Sequence, residues 1–253
     1  MSLLKNKNVL ITGASAGIGE ACAFAFAKEG CNLIVIARRE NRLKSLKQKI
    51  EKEFNVDVQI IVLDVSDKDE VFSQLKETVS VDILINNAGL ALGTDKVHQA
   101  NPDHHEIMIN TNVNGLLNVT RAIVPRMVEN GSGDIINISS IAGHEVYPGG
   151  AVYCATKHAV DALTKGLRMD LIDTPLRVSS ISPGAVNTEF STVRLNGDKA
   201  TADKFYEGFD PLLGKDIAEI AIFNASRPAH VQIADVIVLA NAQGAAKMIH
   251  KEK

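Results

Sequence analysis

Seven short apolar runs rich in β-branched residues recur along the 253-residue chain, at 8–12, 32–36, 58–63, 82–85, 134–138, 177–181 and 235–239, and they limit the fold more than any other feature. Few show the polar alternation of a strand with one wet face, so each reads as a strand buried on both faces. Between them lie segments of helical periodicity at 17–28, 40–53, 68–78, 111–129, 152–171 and 216–225. Strand, helix and strand repeated in that order predict an α/β fold, a doubly wound parallel sheet of about seven strands with helices on both faces. A hydrophobic fraction of 45% is ample for one buried core, and no internal repeat, low-complexity tract or Pro/Gly/Ser linker marks a boundary. The whole chain, 1–253, therefore reads as one domain. The stretch 183–215 has no clear strand and far exceeds the usual connection of about 4–6 residues, so it is expected to cover a site as a lid near 187–214.

Charge and cysteine usage narrow the partners. A formal net charge of −3 and a pI of 6.2 argue against nucleic acid or an anionic membrane surface, leaving small molecules. Cys22, Cys31 and Cys154 form an odd set without Cys-x-x-Cys spacing, which predicts reduced thiols, no zinc site and a cytoplasmic protein. None of the seven histidines has the two-His-plus-acid spacing of a metal centre, and no metal is expected. The start, Met1 to Lys7, runs into the first strand without a cleavable apolar segment, and no apolar stretch reaches the ~20 residues of a membrane helix.

The first strand leads through Thr12-Gly13-Ala-Ser15-Ala-Gly17-Ile18-Gly19 into the first helix. Glycines there permit a sharp turn and let backbone N–H groups approach a pyrophosphate, which the positive helix end favours. The spacing is Gly-x-x-x-Gly-x-Gly and differs from the more familiar dinucleotide fingerprint Gly-x-Gly-x-x-Gly. A carboxylate ending the second strand would accept the ribose 2′-OH of NAD, but the chain reads Ile36-Ala37-Arg38-Arg39-Glu40. Two guanidiniums suit a 2′-phosphate, which predicts NADP(H); the alternative is that Arg38 and Arg39 pair with Glu40 or cap a helix on the surface.

Asp64 and Val65 close the third strand, where the adenine edge would lie. Asn87, Ala88 and Gly89, after Asn86 at the end of the fourth, can line the adenosine ribose, although Asn86-Asn87 also has the chemistry of a turn that satisfies backbone groups. Pro183, Gly184, Val186 and Thr188 follow the sixth strand at the expected nicotinamide end, or form an ordinary Pro-Gly turn.

A proton-transfer constellation lies downstream. Ser140 ends the fifth strand, Tyr153 stands thirteen positions later, and Lys157 follows after four more. If Tyr153 opens a helix, Lys157 shares its face one turn on. Its ammonium is then expected to lower the phenol pKa from ~10 toward the working range, with Ser140 reaching the same substrate oxygen. Tyr153 and Lys157 also belong to the expected cofactor contacts.

Together Thr-Gly-x-x-x-Gly-x-Gly at 12–19, Asn-Asn-Ala-Gly at 86–89, Asn112, Ser140, Tyr153-x-x-x-Lys157 and Pro-Gly at 183–184 strongly resemble the short-chain dehydrogenase/reductase family over nearly the whole chain. The resemblance implies a single-domain Rossmann fold and a homotetramer, with a dimer as the alternative. It also implies a role for Asn112, whose backbone carbonyl would hold a water that links Lys157 to solvent. The segments 87–93 and 184–198 are similar to the branch of NADP-dependent 3-hydroxy acid dehydrogenases that also oxidise serine, implying hydride transfer at the carbinol carbon of small 3-hydroxy acids. The alternatives are a ketone, dicarbonyl or steroid reductase and a non-catalytic NADP-sensing protein, the latter disfavoured by the presence of Ser140, Tyr153 and Lys157. The carboxylate implied by this branch needs a cation, for which the lid offers Arg194, Lys199 and Lys204. Arg194 is six residues past Thr188 and has the planar fork a carboxylate prefers, so it is the expected clamp, the other reading being a solvated lid arginine. Residues 241–253 carry no matching signature.

Overall fold

Hydrogen bonds between neighbouring apolar runs, all in the same direction, build the sheet that the sequence predicts. The computed structural model describes residues 3–76 and 78–252. Met1 and Ser2 of the chain start, Glu77 of the expected third helix, and Lys253 lie outside the described residues. In chain order the first half comprises β1 (Asn8–Thr12), α1 (Gly17–Lys28), β2 (Asn32–Ala37), α2 (Glu40–Glu53), β3 (Val58–Val62), α3 (Lys68–Leu75) and β4 (Ile83–Asn86). It continues with α4 (Pro102–Ile109), a π-helical turn (Asn110–Asn114), α5 (Gly115–Asn130), β5 (Gly133–Ile138), α6 (Ala151–Asp170) and β6 (Leu176–Pro183). The last part holds β7 (Val186–Asn187), α7 (Phe190–Arg194), α8 (Lys199–Phe205), β8 (Leu212–Leu213), α9 (Gly214–Ala225), β9 (Asp235–Val238), β10 (Gln243–Ala245) and β11 (Met248–Ile249).

Seven parallel strands lie in the order β3-β2-β1-β4-β5-β6-β9. The chain winds outward from β1 in one direction and then, from β4, in the other, so a crevice opens beyond the carboxyl ends of β1 and β4. Successive side chains point to opposite faces and both faces are covered. Val9, Ile11, Val35 and Ile85 pack against Phe26 of α1 and Ile217 of α9. Leu10, Ile34, Leu84 and Ile135 pack against Leu75 of α3 and Val119, Ile123 and Met127 of α5.

The helical segments differ from expectation where long-range bonds intervene. The helix expected over 68–78 stops at Leu75 because Arg126 of α5 donates to the carbonyls of Leu75, Lys76 and Thr78, satisfying the helix end from outside. The helix expected over 111–129 is preceded by α4, whose start is signalled by Asn101 as cap and Pro102 in the first turn, followed by a polar Asp103-His104-His105-Glu106 stretch that conceals its periodicity. α4 runs into α5 through the π-helical turn, a widening that often marks functional sites.

The stretch 183–215 is not free of structure. β7 and β8 pair in parallel, and between them α7 and α8 stand over the carboxyl edge of the sheet, with Asp198 accepting from the Thr201 amide at the start of α8. The tail forms an irregular hairpin of β10 and β11. Gln243 Oε1 in β10 accepts from the Ala185 amide at 2.8 Å, and the Ala246 amide donates to Glu145 Oε2 at 2.7 Å, so this tail is bonded to the loops around the crevice. All three cysteines are free and buried, and burial pushes the Cys22 and Cys31 thiols up to about 12. Among the described residues no helix is long and apolar enough to cross a membrane, and no group of three His, Cys, Asp or Glu side chains is placed to hold a metal.

Candidate active site

The turn from β1 into α1 is tight enough to exclude side chains. Gly13 has φ +66°, and a Cβ there would lie 2.9 Å from Ala88 Cα; on Gly19 it would lie 2.5 Å from the Gly13 carbonyl oxygen and 2.6 Å from Asn87 Nδ2. Thr12 Oγ1 accepts from the amides of Asn87 and Ala88, both at 3.0 Å, and Asn87 Nδ2 donates to Thr12 O at 2.9 Å. These bonds hold the ends of β1 and β4 together at the crevice. No side chain caps α1, so its first amides remain without a side-chain acceptor beside a glycine turn, which fits an anionic pyrophosphate. Asn86 instead points into the core, donating to Asn137 Oδ1 and Thr120 Oγ1.

A cavity of about 510 Å³ follows this crevice from β2 to the C-terminal hairpin. Every expected cofactor, catalytic and substrate residue faces it except Gly19 and Asn112, which stand behind its wall.

At the β2 end, Arg39 donates to Ser15 Oγ at 2.9 and 3.0 Å and to Glu189 Oε2 at 2.9 Å, while Arg42 reaches Glu189 Oε1 at 2.6 Å. Arg38 lies 3.3 Å from Asp64 Oδ2. Glu40, the acid that sequence proximity offered to these arginines, is paired with Lys44 at 2.6 Å. Burial alone would raise the Asp64 pKa, but hydrogen bonds from Ser66 and the Arg38 charge outweigh it and hold the carboxyl below its usual range. Bonds from Arg39 and Arg42 do the same for Glu189. Arg42 and Glu189 were not among the sequence candidates. Arg42 carried a signal, lying three and four positions after Arg39 and Arg38; Glu189, from the far end of the chain, carried none.

In the middle of the cavity Ser140 leaves β5 with extended backbone, and its hydroxyl accepts from the Ala142 amide at 3.1 Å. Tyr153 lies in the first turn of α6, 7% exposed, packed at 5.5 Å between ring centroids against Phe190. Lys157, 6% exposed, donates to the Ile138 carbonyl at 2.9 Å. Burial lowers its pKa to about 8, opposed by the Asp161 carboxylate.

The expectation that Lys157 would draw the phenol pKa down is corrected here. Burial raises Tyr153 well above the usual phenol value; a hydrogen bond with Ser140 and the charge of Arg194 oppose it, and Lys157 is not among the main influences. The reason is geometric, since the ammonium is engaged by the carbonyl of β5 and burial penalises the phenolate. Asn112, in the π-helical turn, bonds its side chain to both Leu90 backbone groups and to Thr156 Oγ1, which donates to Tyr153 O. Asn110 and Asn114 bond to one another on the exposed side, leaving Asn112 as the inward asparagine.

Beyond Tyr153, Gly184 packs against Gln243, and Thr188 Oγ1 accepts from the Phe190 amide at 3.3 Å. Arg194 is not a solvated lid arginine. Nε donates to Gly93 O, Nη1 to Tyr147 Oη at 2.9 Å and Nη2 to Gly149 O at 3.0 Å, and Cζ lies 5.7 Å from the Tyr153 ring centroid. Lys199 pairs with Asp203 on the exposed side of α8, and neither it nor Lys204 faces the cavity. Tyr147, Gln243 and Lys247 line this end too, without having been singled out in the sequence.

Residues 7–198 match the short chain dehydrogenase family. The chain is 45% identical to an NADP-dependent 3-hydroxy acid dehydrogenase of Schizosaccharomyces pombe, with all of both chains covered. It is 41% identical to sulfoacetaldehyde reductase 2 of Chromohalobacter salexigens over 93% of this chain and 94% of that one. A solved structure, the closed form of serine dehydrogenase complexed with NADP+, superposes with a TM-score of 0.91 at 39% identity, covering 97% of this chain and 100% of the other.

The buried ammonium of Lys157 makes a stability prediction. Its pKa of about 8 lies below the unfolded value of 10.5, so the folded state bears a desolvation penalty that is complete below pH 8 and is relieved as pH rises toward 10.5. Lys157→Met should therefore raise stability at pH 7 by up to about 3 kcal/mol, with the gain shrinking toward pH 10. Urea midpoints of both proteins at pH 7 and pH 10 measure this, and equal midpoints at pH 7 would contradict it.

Proposed function

The chain belongs to the short-chain dehydrogenase/reductase family and is an NADP-dependent oxidoreductase acting on CH–OH groups, and we propose that its substrates are small 3-hydroxy acids of the serine, 3-hydroxypropionate or 3-hydroxyisobutyrate type, with semialdehyde reduction in reverse. The observation that carries this reading is Arg194, a cation in the cavity wall beside the Tyr153 ring with no acid partner among the described residues. Of its five N–H groups, three are bonded to Gly93, Tyr147 and Gly149, which leaves one hydrogen on each terminal nitrogen for a carboxylate. The names of the relatives support it, since a 3-hydroxy acid and a sulfoacetaldehyde each carry an oxyanion close to the reacting carbon.

NADP(H), when bound, accepts or supplies hydride at the nicotinamide. The glycine turn and the open start of α1 take the pyrophosphate, Arg38 and Arg39 the 2′-phosphate, and Thr188, Val186 and Gly184 the nicotinamide side. Burial favours the protonated form of Tyr153, so its phenol gives a proton to a carbonyl oxygen in reduction; in oxidation it first releases that proton to solvent and the phenolate then takes the proton of the carbinol, while Ser140 bonds the same oxygen. Lys157 holds the nicotinamide-ribose hydroxyls, and Asn112 anchors the water that exchanges its proton. Residues 187–214 act as a lid within the single domain. Exposed Leu117 and Val128 on α5 and Met169 on α6 support a homotetramer with these helices at an interface, a dimer being the alternative. Three buried free thiols support a cytoplasmic location.

Three outcomes test these assignments. Removing both Arg38 and Arg39 by alanine substitution should lower the NADPH-over-NADH preference in kcat/KM by about 100-fold or more, since each charge-assisted bond contributes ~1.5–3 kcal/mol; an unchanged preference would remove them from the 2′-phosphate site. Arg194→Met should reduce kcat/KM for a 3-hydroxy acid by about tenfold or more beyond any loss for an uncharged alcohol of similar size. Equal losses would make Arg194 a purely structural clasp of the Gly93 and Gly149 loops, and a wild type that prefers uncharged ketones would favour the ketone-reductase reading. Light scattering at micromolar concentration should give a tetramer or dimer, and a monomer alone would refute both.

A further inference from the structure

A second cation reaches the Arg194 end of the cavity from a part of the chain with no sequence signature. Lys247 lies in the turn between β10 and β11 and lines the cavity. Its ammonium sits 4.8 Å from the centroid of the Tyr147 ring and 5.8 Å from that of Phe205. Tyr147 is the same residue whose hydroxyl receives the Arg194 Nη1 bond, and the Arg194 Cζ is 5.5 Å from its ring. One tyrosine thus contacts two positive charges. Burial, and then the Arg194 charge, hold the Lys247 pKa below the usual lysine value, although the residue as a whole remains exposed.

Neither cation has an acid within ion-pair distance among the described residues. Glu145, bonded to the neighbouring Ala246 amide through Oε2, makes no ion pair with Lys247. The ring contacts attract the ammonium but accept none of its three hydrogens in ordinary hydrogen bonds, and among the described residues no polar atom does so either. Two like charges placed close together against aromatic walls repel one another and lose hydration, an arrangement that an incoming anion relieves. A lysine and an arginine also divide the work, the planar fork fixing the orientation of two oxygens and the ammonium adding a mobile point charge.

We propose that Lys247 is a specificity-determining residue that joins Arg194 in a two-cation subsite for the carboxylate or sulfonate of the substrate. This rests on the reading of the substrates as small anionic carbinols. The hairpin of β10 and β11 thereby completes the substrate end of the cavity, and the bond from the Ala185 amide to Gln243 ties that hairpin to the loop after β6.

The test compares oxidation of 3-hydroxypropionate with that of 1,3-propanediol, its uncharged counterpart, by the wild type, Lys247→Met and Lys247→Arg, all with NADP+. Lys247→Met should lose about tenfold or more in kcat/KM for the acid, mainly through KM, with a much smaller change for the diol, and Lys247→Arg should recover most of the loss. A wild type with no preference for the acid overturns the substrate class and this subsite together. A preference that persists undiminished in Lys247→Met overturns the subsite alone. Equal loss for both substrates, unrepaired by arginine, assigns Lys247 to packing of the Tyr147 ring and also overturns the subsite.

Discussion

The closure of the β1–α1 turn against the end of β4 sets the position of nearly everything else in the cavity. Thr12, Gly13, Gly19 and Asn87 meet there with no room for a further carbon atom, and the bonds between them fix two neighbouring strands at the point where the winding of the sheet reverses. A crevice at that point follows from topology. Its width and the exposure of the α1 amides follow from the glycines. The loop that leaves β4 carries Gly89, where a Cβ would lie 3.6 Å from Lys157 Nζ and 3.2 Å from Asn112 Oδ1, so the same closure also reaches α6.

Buried polar side chains then tie that helix to the sheet. Asn86 of β4 donates to Asn137 of β5, which donates to Thr164 of α6, and Asn112 reaches α6 through Thr156. Each bond is modest, but an unpaired group at these depths would cost more than the bond contributes, so the arrangement specifies one seating of α6. Tyr153 and Lys157 are carried on that seating, and the Phe190 ring and the Ile138 carbonyl then fix their side chains.

Charge is distributed unevenly along the cavity of a chain whose net charge is −3. Arg38 and Arg39 line one end, with Arg42 joined to Arg39 through Glu189, and Arg194 and Lys247 line the other, while the middle is governed by burial. Burial acts in opposite directions on the two groups there, raising the phenol of Tyr153 and lowering the ammonium of Lys157, because in each case it disfavours the charged form. The middle of the cavity thus pairs a neutral phenol with a buried ammonium. Its ends are suited to anions.

The sequence by itself determined the seven strands of the main sheet and most helices, the glycine turn, the two arginines at the end of β2, and the placement of Tyr153 and Lys157 on one helix face. These depend on period and local spacing, and neighbouring residues carry that information wherever the chain is put. Several features were decided only by tertiary contacts. α3 ends early because Arg126 arrives from α5, Glu189 takes Arg39 and Arg42 across 150 residues or nearly so, and the tail meets the crevice through Gln243 and Lys247. The direction of the Tyr153 pKa belongs with them. A lysine four positions away suggested a lowered value, but a pKa answers to the solvent excluded by every packed element, and that exclusion exists only once β5, α6, α7 and the C-terminal hairpin have come together.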